Sequence, residues 1–131
     1  MQTDPFADFL TTVRNGVRSR KSEVASPSSR LVVRVCEVLM AQGFILGFRI
    51  EEKAPRSAVV LTLKYAKNGE PALRGVRRVS RPGRRLYSAV SELKPVMSGL
   101  GLSILSTPKG VLIDADCRRL KAGGEVLCQV W

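Results

Sequence analysis

The chain has 131 residues, of which 22 are Lys or Arg, 11 are Asp or Glu and none is His, giving a net charge of +11. An apolar fraction of 44% excludes a disordered tail, and the length suits one domain or two small units. The surplus points to a polyanionic partner, nucleic acid first and an anionic membrane surface second, although no apolar run approaches the ~18 residues of a membrane span.

Thr3-Asp4-Pro5 reads as a helix start, with Asp4 as cap and Pro5 at the first helical position. Phe6, Phe9, Leu10, Val13 and Val17 follow at helical spacing, so an amphipathic helix runs to about Arg20. Its far face carries Arg14 and Asn15, for which a solvated face is the simple reading. Pro27-Ser28-Ser29 starts a second helix with Leu31, Val32, Val35, Val38 and Leu39 as its stripe, and Gly43 stops it. Arg30 in the first turn opposes the helix dipole. A phosphate held by the free amides and the two serines would explain it; a side chain pointing to water is the alternative.

Alternation over 44–50 and 59–65 predicts two strands joined by a charged connection from Glu51 to Arg56. Asn68-Gly69 is a turn signal, placing a boundary between an N-terminal unit, 1–66, and a C-terminal unit, 67–131. The predicted fold class is α+β: two helices on a small sheet, then a mostly β unit with a short helix.

Arg74, Arg77, Arg78, Arg81, Arg84 and Arg85 form a run with no acid inside it. Pro82-Gly83 has the order of a type II turn. Tyr87 follows on a strand, either as core or as a ring set against a nucleotide. Glu92 to Gly99 reads as a short helical turn. A strand at Leu102 and Ile104 empties into the loop Ser106-Thr107-Pro108-Lys109-Gly110, whose hydroxyls, ammonium and open amides suit an anionic, hydrogen-bonding ligand. Asp114 looks like the cap of a brief helix to Leu120. Glu125 follows a diglycine turn at the start of the closing strand. It either pairs with an arginine or accepts a hydrogen bond from a ribose hydroxyl or a base.

Catalytic chemistry has little support. No Walker loop or G-x-G-x-x-G occurs, and Glu51 and Glu52 are adjacent on a strand end and so diverge. Ser106 to Lys109 fits S-x-x-K, but without companion motifs. Cys36, Cys117 and Cys128 form no C-x-x-C pair and read as reduced packing residues, so no metal or cofactor is expected.

Several segments together resemble the eighth protein of the small ribosomal subunit, the bacterial S-eight (uS-eight) family. They are D-P-F-A-D-F-L-T-T-V-R-N (4–15), P-S-S-R-L (27–31), L-K-Y (63–65), R-V-S-R-P-G-R-R-L-Y (78–87), G-L-G-L-S-I-L-S-T-P-K-G-V (99–111) and G-G-E-V-L-C-Q-V-W (123–131). The resemblance implies a non-enzymatic constituent of the small subunit that binds the central domain of its ribosomal RNA and acts early in assembly. It gives the RNA role to Ser106, Thr107, Lys109 and Gly110, with Tyr87 and Glu125 at matching site positions. Arg14, Asn15 and Arg30 match secondary contacts, and Arg81, Arg84 and Arg85 supply phosphate affinity. Neighbouring ribosomal proteins are implied partners, in a cytoplasmic ribosome, with a monomer off the ribosome and no membrane. Repression of its own operon by binding the messenger RNA is the alternative. Pro108 departs from the usual serine, removing a hydroxyl and an N–H. Lys94-Pro95 reverses the usual Pro-Lys order.

Overall fold

The computed structural model describes residues 4–53 and 55–131, with three α-helices and eight strands among them. The chain is α+β and divides into two compact units, the second beginning at Gly75. The division falls beyond the Asn68-Gly69 turn because that turn folds back on the first unit: Tyr65 pairs with Pro71, and the Ala72 amide donates to Lys64 O.

In the first unit, α1 spans Pro5–Arg18, β1 Glu23–Pro27, α2 Arg30–Ala41, β2 Ile45–Lys53 and β3 Arg56–Leu63. Asp4 Oδ1 accepts the Ala7 amide and Pro5 opens the helix, as the sequence implied. The helix ends before Arg20, which takes a left-handed φ of 58°. Ser29 Oγ accepts the Val32 amide and caps α2. At the other end Gly43, with φ 79°, lets Gly43 N reach Met40 O and Phe44 N reach Leu39 O. This is the paired bonding of a Schellman stop.

The strands form an antiparallel sheet in the order β1-β3-β2. Phe9, Val13, Val32, Val35, Leu39, Val59 and Leu61 are its buried core. Full burial of one such side chain contributes about 1.5–3 kcal/mol. Gly16 lets α1 lie against β1, since a Cβ there would stand 2.2 Å from Val24 Cγ1.

Three expectations needed correction here. Strand β1 was not foreseen, because E-V-A-S-P has little β propensity; at a sheet edge a terminal proline removes no ladder bond. Most of the Glu51–Arg56 connection is ladder, with Glu51 opposite Ala58 and Glu52 opposite Ser57. The strict alternation over 44–50 is broken by a bulge between Ile45 and Gly47, which leaves Leu46 exposed.

The second unit contains β4 Val76–Arg78, β5 Tyr87–Ser88, β6 Leu102–Thr107, β7 Gly110–Ile113, α3 Asp114–Leu120 and β8 Gly124–Val130. The sheet runs β4-β8-β6-β7, with β5 also on β8. Its core holds Ile104, Leu105, Cys117, Leu127, Cys128 and Val130. The expected turn at Glu92–Gly99 is instead two single 3₁₀ turns, Val90–Glu92 and Met97–Gly99, separated by an extended stretch before and after Pro95. Asp114 is not the cap but the first helical residue; buried, it pairs with Arg118 at 3.2 Å. Arg119 likewise pairs with Asp116 at 3.4 Å.

The diglycine is not a turn. Neither glycine has a positive φ. Both are needed for space: a Cβ on Gly124 would lie 2.1 Å from Ser106 O, and one on Gly123 2.6 Å from Ser88 O.

Candidate nucleic-acid interface

The second unit holds most of the candidate residues, and its sheet carries Tyr87, Ser106, Thr107, Gly110 and Glu125. Strand β8 passes between β5 and β6, and at its start Glu125 stands opposite Tyr87 on one side and Ser106 on the other. Directly opposed residues of antiparallel strands project from the same face. Tyr87, Glu125 and Ser106 are therefore a row. Tyr87 is 71% exposed, so its ring is not core. Glu125 is held by Arg85, whose Nη1 lies 3.0 Å from Oε2, while only 16% of the glutamate side chain is exposed. The arginine pairing left open in the sequence is thus real, and it fixes the carboxylate in the middle of the row.

Beside Ser106, the β6–β7 hairpin closes with Thr107 opposite Gly110. Thr107 Oγ1 donates to Gly110 O at 2.8 Å and accepts from the Lys109 amide at 3.1 Å. Gly110 has φ 115°, a conformation that favours glycine. Pro108 is exposed at the tip, where its missing N–H leaves no buried acceptor unmatched. Lys109 Nζ donates to Leu120 O at 3.0 Å, placing the ammonium at the C-terminal end of α3 where the helix dipole favours it. In S-x-x-K the lysine amine thus serves a helix carbonyl.

Thr107 is therefore first an internal clamp. Thr107→Ala removes both bonds and should lower stability by about 1 kcal/mol at this exposed site, while Thr107→Ser should keep it. Amide exchange at Lys109, faster in the alanine variant alone, is the check.

The arginine run is divided by the fold: Arg77 and Arg78 lie on β4, and Arg81, Arg84 and Arg85 lie on the loop that follows it. Arg81 and Arg84 exchange backbone bonds of 3.0 and 2.9 Å. Gly83 lacks the positive φ of a type II turn, so the expected turn type is corrected; proline at the second position suits type I as well. A basic groove opens beside it, lined by Arg77, Arg78, Val79, Arg81, Arg84 and Leu86. Arg77 and Arg78 were counted in the run but not singled out, because charge density alone does not say which arginines share a groove.

Arg14, Asn15 and Arg30 belong to the first unit. Arg14 is half-buried and Asn15 exposed on α1. Arg30 opens α2 beside a shallow concavity that also involves Ser28, Ser29, Arg34, Arg56 and Ser57. Arg34 is paired to Glu37 at 3.3 Å.

All three cysteines are free and buried, and burial pushes Cys36 and Cys128 up to about 12 and raises Cys117. Among the described residues, no group of three His, Cys, Asp or Glu could hold a metal ion, and no helix is long and apolar enough to cross a membrane.

Comparison with known proteins gives the family of the chain. The family model "Ribosomal protein S8" matches residues 4–131. The small ribosomal subunit protein uS8 of Rhodopirellula baltica is 50% identical over 132 residues, covering 99% of each chain. That of Rhizorhabdus wittichii is 50% identical over 129 residues, 98% of each. That of Sorangium cellulosum is 47% identical over 131 residues and the full length of both. With a family match from Asp4 to the C-terminal residue and relatives of this closeness, the chain belongs to the ribosomal protein S8 family.

Proposed function

We propose that the chain is a structural constituent of the small ribosomal subunit that binds the central domain of the subunit's ribosomal RNA and takes part in its assembly. The observation that carries this reading is the Tyr87-Glu125-Ser106 row, flanked by the arginine loop on one side and the Thr107–Gly110 hairpin on the other.

The chemistry divides in two. Arg81 and Arg84, with the neighbouring groove, give phosphate affinity that falls with salt and is indifferent to sequence. The row supplies a stacking ring, a carboxylate acceptor and a hydroxyl. These read 2′-hydroxyls, base edges and irregular shape, because the deep major groove of an RNA helix is closed to side chains. Arg14, Asn15 and Arg30 add contacts through the first unit. Neighbouring ribosomal proteins complete the set of partners, and no catalytic step is proposed.

Sedimentation tests the assignment to the subunit. A tagged chain expressed in bacteria should travel with small subunits through a sucrose gradient at a salt concentration that strips adventitious basic proteins. A chain found only with messenger RNA, or free at the top of the gradient, would reject it.

A further inference from the structure

Resting on that reading, we propose that Ser80 is a positioning residue for the RNA face, acting through its hydroxyl on the neck of the arginine loop. Strands β4 and β5 both pair antiparallel with β8, at opposite ends of it. Between them the ladder nearly continues: Ser80 N donates to Val126 O at 3.0 Å, and Val126 N donates to Leu86 O at 2.9 Å. Ser80 and Leu86 therefore flank one residue of β8. Residues 81–85 are an excursion from what is otherwise a single strand, and they carry Arg81, Arg84 and Arg85.

The two bonds to Val126 tether both ends of this excursion, and a further contact joins the ends to each other. Its arginines repel one another, and within it Arg81 and Arg84 exchange backbone bonds. Ser80 Oγ spans the neck. It accepts the Leu86 amide at 2.7 Å and donates to Leu86 O at 3.1 Å. The residue is 0% exposed, so no water replaces either bond. A serine is the smallest side chain that both donates and accepts here.

The consequence lies one residue further on. Leu86 sits between Arg85, which holds Glu125, and Tyr87, which stands opposite it. Pinning both backbone groups of Leu86 fixes the register of Tyr87 on β8 and the reach of Arg85 to the glutamate. It also sets how far Arg81 and Arg84 stand from the row. The hydroxyl thus couples the part of the face that grips phosphates to the part that reads the RNA, without touching RNA itself.

The test compares Ser80→Ala and Ser80→Thr with wild type. Amide exchange is followed at Leu86, and binding is measured to a cognate central-domain hairpin and to a scrambled one. In Ser80→Ala, Leu86 exchange should accelerate and the preference for cognate hairpin fall about tenfold, the effect of one buried donor left unmatched. Affinity for the scrambled hairpin and its salt slope should stay, because every arginine remains. Ser80→Thr, which keeps the hydroxyl, should retain the preference and the slow exchange. Unchanged Leu86 exchange in folded Ser80→Ala, equal loss of affinity for both hairpins, or equal impairment of the two variants would overturn the proposal. If wild type shows no preference between hairpins, the RNA reading itself fails, and Leu86 exchange still decides whether the clamp exists.

Discussion

Replacing Gly124 by alanine should cripple the protein although it adds one methyl group. The new Cβ would fall 2.1 Å from Ser106 O and 3.1 Å from Thr107 Cα, both backbone atoms of the neighbouring strand. A side chain can rotate out of such a clash; a strand cannot. Strand β8 must move away from β6, and the Ser106–Glu125 pairing is where it parts. Overpacking of this kind costs roughly 3 kcal/mol. For a chain of this size that is a fall in melting temperature on the order of 10 °C. The same movement pulls the row apart, so the folded fraction should lose its preference for cognate RNA. Gly83→Ala is the matched control. It has no atom within 4 Å of the added Cβ and no positive φ, so it should melt within about 0.5 kcal/mol of wild type. Thermal unfolding of the two variants side by side decides the point. Equal melting temperatures would mean that the diglycine is not needed for close approach.

The second large effect separates reading from gripping. Glu125→Gln removes a negative charge from a strongly basic face. On charge alone it should bind any RNA better. The expected outcome is the opposite for cognate RNA: its advantage over a scrambled hairpin should shrink by roughly tenfold or more, the value of a charged acceptor in a half-buried site, while scrambled RNA binds as well as before or slightly better. Stability should change by less than about 1 kcal/mol, because the lost Arg85 pair is half exposed on the arginine side. Arg84→Ala should behave in the other way. Both hairpins should weaken together, and the dependence of log affinity on log salt should flatten by about one phosphate contact. If the two variants give the same pattern, the face has no division of labour.

Much of this was legible in the residues. Helices α1 and α2 announced themselves because their stripes, caps and stop all agree: Asp4 and Pro5 at one start, Ser29 at the other, Gly43 at the end. Strands β2, β3 and β6 were visible from alternation or apolar runs. What escaped was set by pairing rather than by local preference. Strand β1 is held by β3 against its own weak propensity. The exposure of Leu46 follows from a bulge that no periodicity reveals. The diglycine looked like a turn, since sequence shows the missing Cβ but not the neighbour that requires its absence.

At the candidate site the residue types were legible and their arrangement was not. Tyr87, Ser106 and Glu125 are far apart in the chain, and only the register of β8 makes them one row. Thr107 and Lys109 were read as ligand groups; the fold first gives them internal partners in Gly110 and Leu120. Ser80 was invisible as a functional residue, because a small polar residue inside an arginine run reads as ordinary surface. Its significance comes from complete burial and from two bonds to Leu86.

The most direct test of the central claim is binding of the purified chain to a hairpin from the central domain of small-subunit ribosomal RNA, against a scrambled hairpin of equal length, across a salt series. The expected result is a large preference for the cognate hairpin that persists as salt weakens both complexes, since the row reads features that screening does not remove. Equal affinities that vanish together would contradict it, leaving a basic surface with no site.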